Sequence, residues 1–237
     1  MLYFTGDVHG NIKGLLYRLD RMGIPHTPDQ IIVLLGDVGV NYLQNTADYV
    51  NKKRLQDSGR TYFCIHGNHE MRPESIASYQ EQLGNFGMVY VEQEFPNLQF
   101  AKDGELYDLE GYKTLVLGGA YSVDKFYRLE CGARWFADEQ IAPERRKAIL
   151  EQITTFGQLD LVLSHTCPYS WQPTDLFLNG LDQSTVDNSM EKWLEEVETH
   201  LNYRHWLFAH FHDDRKINSK VTMLFNTIRN INQIMEG

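Results

Sequence analysis

The chain opens with apolar runs that stop abruptly at polar loops. Leu2 to Thr5 is a short apolar run ending at Gly6-Asp7-Val8-His9-Gly10. Ile12, Leu15, Leu16, Leu19 and Met22 then recur at helical spacing, which predicts an amphipathic helix closed by Gly23. Ile31 to Leu35 is continuously apolar, the pattern of a parallel strand covered on both faces, and it stops at Gly36-Asp37. A weaker helical pattern with Ala47, Val50 and Leu55 spans Thr46 to Ser58. Thr61 to Ile65 reads as a third strand, and Gly67 permits the tight turn into Asn68-His69-Glu70. The order β-α-β-α-β predicts parallel strands with right-handed crossovers.

From about Gly84 to Leu117 the pattern shortens. Met88–Val91, Leu98–Ala101, Leu106–Leu109 and Lys113–Leu117 are β-prone and are separated by turn residues such as Asp103-Gly104 and Glu110-Gly111. They predict antiparallel hairpins. A long aromatic and charged connection follows Gly118-Gly119-Ala120-Tyr121 and runs to Trp135 and Phe136. Pro143 opens a helix. Asp160 to Ser164 is a strand ending at His165, and Val186 to Leu201 carries another amphipathic helix. Trp206 to Ala209 is a strand ending at His210-Phe211-His212, and Lys216 to Phe225 reads as a last hairpin. With no repeat or linker, residues 1–237 are expected to form a single α/β domain with two sheets.

The formal charge of −10 argues against an extended nucleic-acid track or an anionic membrane surface, each of which calls for a basic face. It leaves room for a small charged ligand or for cations held by carboxylates. Cys64, Cys131 and Cys167 are odd in number and scattered, with no disulfide framework, which fits a reducing compartment. The N-terminal stretch lacks the basic and long apolar segments of a signal peptide, and no run approaches the length of a membrane span. A cytoplasmic protein is expected.

Five apolar runs stop at a side chain that can hold a metal: Asp7, Asp37, Asn68, His165 and His210. In open α/β sheets, ligands sit at the carboxyl ends of strands. His9 and His212 lie two residues beyond Asp7 and His210, and in extended backbone such pairs share a face. Of the nine histidines, His9, His69, His165, His210 and His212 fall at these strand ends. His26, His66, His200 and His205 are left to surface or core roles.

Gly6-Asp7-x-His9-Gly10, Gly36-Asp37, Gly67-Asn68-His69-Glu70, a lone His165 and Ala209-His210-x-His212, in that order, resemble the calcineurin-like metallophosphoesterase superfamily. The resemblance runs from residue 6 to 212. It implies a four-layer α/β/β/α sandwich with two mixed sheets. It implies two divalent cations, one held by Asp7, His9 and His212 and the other by Asn68, His165 and His210, with Asp37 bridging. Nitrogen and oxygen donors without thiolate suit manganese first, and also iron, zinc or cobalt. Such a pair clamps a phosphoryl group and acidifies a shared water whose hydroxide attacks phosphorus. His69 matches the family's catalytic histidine, which protonates the leaving oxygen or stabilises its charge.

One segment departs from the protein serine/threonine phosphatase branch. Where that branch carries an acid and an arginine after Gly-Asp, this chain has Val38-Gly39-Val40-Asn41, so neither side chain that orients the histidine and grips phosphate is present there. Glu70 is an alternative orienting partner for His69. Tyr121, Lys125, Arg128 and Arg134, or Arg72, could supply the phosphate grip. The reading is a phosphoesterase for small mono- or diesters. A protein phosphatase, a nuclease and a non-catalytic scaffold of the same fold are the alternatives, and the complete ligand set disfavours the scaffold.

Overall fold

The structure, a computed structural model, describes residues 1–177, 180 and 182–236. Its first sheet is built from β1 (Leu2–Thr5), β2 (Ile31–Leu34), β3 (Thr61–Cys64), β4 (Tyr79–Leu83), β5 (Met88–Glu92) and β6 (Leu98–Ala101). The second contains β7 (Leu106–Leu109), β8 (Tyr112–Leu117), β9 (Gln158–Ser164), β10 (Asn202–Phe208), β11 (Arg215–Asn218) and β12 (Val221–Met223). A two-residue strand, β13 (Arg229–Asn230), returns to the first sheet. The strand orders are β13-β1-β2-β3-β6-β5-β4 and β11-β12-β10-β9-β8-β7. The centres are parallel, through β1-β2-β3-β6 and β8-β9-β10-β12, and the outer strands are antiparallel.

Alternation along each strand sorts side chains between two faces. Phe4, Val33, Phe63, Val116, Leu163 and Leu207 point between the sheets and form the central core. Ile32, Leu34, Tyr62 and Cys64 point outward and are covered by α1 (Ile12–Arg21) and α2 (Thr46–Asp57) through Ile12, Leu15, Leu19 and Leu55. Leu115, Leu117, Val162, Trp206 and Phe208 are covered by α4 (Pro143–Ile153) and α5 (Ser189–His200). The expected four-layer α/β/β/α sandwich with two mixed sheets is therefore observed. Among the described residues no helix is long and apolar enough to cross a membrane.

Several boundaries differ from the sequence reading. Met22 is 47% exposed and lies past the end of α1, so it is not part of the buried face. Residues 118–136 are not simply a connection, since they contain α3 (Lys125–Cys131). Its pattern is inverted: Phe126, Tyr127 and Leu129 face solvent while Arg128 is buried, so hydrophobic periodicity could not find it. β4 is polar because it is an exposed edge strand, and β13 and α6 (Ile231–Met235) are too short to leave a periodic signal. The hairpin reading of the middle holds for β5-β6 and β7-β8, but β6 also pairs parallel with β3.

Candidate metal centre

Five strands deliver the expected side chains to one crevice at their carboxyl ends. Asp7 and His9 follow β1, Asp37 follows β2, Asn68 and His69 follow β3, His165 follows β9, and His210 and His212 follow β10. The backbone there is unusual. Asp7, His9, Asp37, His210 and His212 have φ of 49°, 47°, 49°, 71° and 55°. Left-handed backbone costs a non-glycine residue on the order of 1–2 kcal/mol. The turns are tied to one another: His9 N–H donates to the Asp37 carbonyl at 2.7 Å, and His210 N–H to Asp7 Oδ1 at 3.2 Å. Two glycines permit the close approach. A Cβ on Gly36 would lie 2.1 Å from His165 Nδ1, and one on Gly67 would lie 2.1 Å from Asp37 Oδ1.

The donor atoms converge. The ligating atoms of Asp7, His9 and His212 all lie within 4.8 Å of one another, as do those of Asp7, Asp37 and His165. His9 Nε2 lies 2.9 Å from His212 Nε2, at hydrogen-bond distance, so that both nitrogens point to one spot. His165 Nδ1 donates to the Leu35 carbonyl at 2.7 Å, which turns Nε2 toward Asn68 Oδ1 at 2.9 Å and Asp37 Oδ1 at 3.5 Å. Asn68 in turn donates from Nδ2 to Ser122 Oγ at 2.9 Å, so its oxygen is the atom presented. Asp37 Oδ2 lies 3.8 Å from His9 Nε2, so its two oxygens face opposite ends of the crevice. His210 sets its ring edge against His165 at 5.1 Å between centroids. Asp7 Oδ2 is buried without a hydrogen-bond partner. An orphaned carboxylate oxygen, converging imidazoles and a carboxylate shared between two ends fit a pair of divalent cations.

A family model described as calcineurin-like phosphoesterase matches residues 2–214. The chain belongs to that family. Among solved structures, the crystal structure of TT1561 of Thermus thermophilus has the same fold, with a TM-score of 0.50 and 16% identity over 95% of this chain and 89% of that chain. No curated protein matches the chain. The family typically uses divalent metals, in keeping with the Asp and His groups here.

In this family member the acidic and basic groups of the crevice hold one another's protons. Burial pushes Asp7 up to about 8. Burial also opposes the charge on Asp37, but hydrogen-bonded His165, with His69 and His9, holds its carboxyl well below the usual range. Burial would lower His165, yet Asp37 raises it to about 9. Burial lowers His9, His210 and His212. At pH 7 the metal-free crevice therefore carries protons on Asp7 and His165 that a cation must displace. Metal loading at pH 7 is expected to release about two protons per chain, and affinity to rise as pH climbs toward 9. Titration calorimetry in buffers of different ionisation enthalpy measures this, and a heat independent of buffer contradicts it.

His69 has its ring stacked toward Tyr42 and its ring centroid 5.0 Å from that of His9. Its ligating atom lies within 4.8 Å of those of His9 and Asp37. Its backbone N–H donates to Asp37 Oδ1 at 2.7 Å. Glu70 does not orient it: Glu70 Oε1 accepts from the Gly67 and Val38 N–H groups and braces the turn instead. The neighbour of the His69 ring is Arg128, whose Nη2 contacts it. Burial is the main influence holding the imidazole at about 4, with Arg128 and His9 adding to it against the pull of Asp37. Of the other candidate cations, Arg72 is tied to Asp103 and the Asp138 carbonyl, and Lys125 lies 4.1 Å from the Trp135 ring centroid. His66, left out of the site by the sequence reading, is buried and outside the cluster.

A cavity of about 320 Å³ opens beside the ligands, walled by Tyr121, Leu176, Phe177, Gln183, Glu191 and Phe211. Ser122, Asp124 and Glu191 escaped the sequence reading. Ser122 and Asp124 lie in the stretch read as a connection, and Glu191 lies on a helix read for its apolar face. The Glu139 carboxylate anchors that connection by accepting from Ser122 N–H and Trp135 Nε1.

Proposed function

We propose that this chain is a binuclear metal-dependent phosphoesterase acting on small phosphate esters. The observation that carries the reading is Asp37, buried at the centre, with one oxygen toward His165, itself paired with Asn68, and the other toward His9. Asp7, His9 and His212 would hold one cation, and Asn68, His165 and His210 the second, with Asp37 shared. Manganese suits the donors first, then iron, zinc or cobalt. When bound, the pair supplies Lewis acidity toward the phosphoryl group and an acidified water. His69, kept neutral, offers its N–H to the departing oxygen. The cavity supports a small ester over a long chain, and the formal charge of −10 supports the same choice against nucleic acid. Free Cys64, Cys131 and Cys167 support a reducing, cytoplasmic setting.

The test is a substrate panel with Mn-loaded protein: a nitrophenyl monoester, a nitrophenyl diester, cyclic nucleotides and a phosphopeptide. Metal-dependent turnover of a small ester, abolished by chelation, is expected, with the phosphopeptide at least about tenfold slower. No hydrolysis of any ester by protein carrying two metals contradicts the reading. A phosphopeptide as good as the best small ester favours the protein phosphatase alternative.

A further inference from the structure

In this chain the segment after Asp37 offers the phosphate no cation. Val38, Val40 and Asn41 are buried, and Asn41 Oδ1 accepts from the Tyr79 hydroxyl at 3.1 Å, turned into the body of the protein. The charge comes from elsewhere. Helix α3 carries Arg128 to the His69 ring, 5% exposed, with its guanidinium carbon 6.0 Å from the Tyr42 ring centroid. Arg128 Nε donates to Asp124 Oδ2 at 2.7 Å, and Nη1 donates to the Arg134 carbonyl at 3.4 Å. Asp124 also lines the cavity beside Asn68 and His69. An acid and an arginine one helical turn apart thus stand against the catalytic histidine, on a different element from the one where the family resemblance looks for them.

A buried guanidinium held on one edge by a carboxylate, with Nη2 at the His69 ring beside the cavity, is a partner within reach of a phosphoryl oxygen bound there. The charge count indicates which ester. A monoester has three terminal oxygens and two negative charges near neutral pH. A diester has two terminal oxygens and one charge. Two cations and one guanidinium provide three positive partners, matching the monoester. In a diester the third oxygen bears an organic group and no charge, so a buried arginine facing it gains nothing.

We propose that Arg128, positioned by Asp124, is the phosphate-gripping cation of this site and selects phosphate monoesters. The inference rests on the phosphoesterase reading above. Arg128 touches substrate, and Asp124 acts through it.

The test uses the full metal-loaded chain and the variants Arg128→Ala, Arg128→Lys and Asp124→Asn. Metal content, inorganic phosphate affinity by calorimetry, and kcat and KM on nitrophenyl phosphate and bis-nitrophenyl phosphate are measured for each. Arg128→Ala is expected to keep its metals and to lose about 100-fold in kcat/KM on the monoester, with the diester changed less than about threefold. Phosphate affinity should fall by about tenfold or more. Arg128→Lys, which keeps the charge without the planar fork and preserves folding if alanine does not, should fall in between. Asp124→Asn should raise KM for the monoester more than it lowers kcat. Equal losses on both esters, or unchanged phosphate affinity in Arg128→Ala, overturn the proposal. The phosphate measurement also separates the two claims: if wild type binds metals but hydrolyses neither ester, the phosphoesterase reading fails while the Arg128 contact is still decided by phosphate affinity.

Discussion

Replacing Asp37 by alanine is expected to cost the protein both cations and to lower its esterase rate by about 10⁴-fold or more, the scale seen when residues acting as one catalytic unit are lost. Asp37 presents an oxygen to each end of the crevice: Oδ1 lies 3.5 Å from His165 Nε2 and Oδ2 lies 3.8 Å from His9 Nε2. Asp37 also accepts the His69 N–H at 2.7 Å and balances the charge on buried His165. Alanine would leave that charge uncompensated, so some loss of stability is expected as well. Asp37→Asn separates the effects, because it keeps the shape and one acceptor while removing the negative charge. It should fold and still bind poorly. By contrast, Asp7→Ala or His212→Ala should each cost chiefly one cation. Metal analysis after gentle purification decides the matter, and an Asp37→Ala protein with two metals contradicts the shared role.

His69→Ala gives the second large effect, and its signature is selective. The protein should keep its metals and lose about 10²–10³-fold on an alkyl phosphate, the cost of one hydrogen-bond donor aimed at developing charge. On a nitrophenyl ester the loss should be about tenfold or less, because a nitrophenolate leaves without help. The structure also fixes the sign of the pH dependence. With the imidazole at about 4 in the metal-free crevice, His69 is already deprotonated across the neutral range. Cations would depress it further. The alkyl-ester rate should therefore show no falling limb between pH 6 and 8 that disappears in His69→Ala. Such a limb would mean that His69 works as an imidazolium acid, and loss of metal would make it a ligand.

The parallel centres of the sheets and the polar side chains gathered at the strand ends were legible in sequence because burial on both faces demands continuous apolar runs. A side chain that must reach a shared crevice has to follow such a run immediately. Asp7, Asp37, Asn68, His165 and His210 all obey that rule, and His9 and His212 follow by spacing. Arg128 broke it. It sits on a helix whose apolar residues face outward, and it is buried by polar contacts, against Asp124 and the His69 ring, rather than by a hydrophobic face. Glu70 was misread for a related reason. Adjacency to His69 suggested an orienting role, whereas the backbone sends its carboxylate back to the Gly67 and Val38 amides. β4 and β13 left no trace because edge strands need no apolar face. Ser122 is a single hydroxyl whose task, turning the Asn68 amide, exists only in three dimensions.

Anomalous diffraction from crystals of Mn-loaded protein tests the central claim most directly. Two peaks about 3.5–4 Å apart are expected, one among Asp7, His9 and His212, the other among Asn68, His165 and His210, with an Asp37 oxygen directed at each. A single peak, or manganese held away from Asp37, would contradict it.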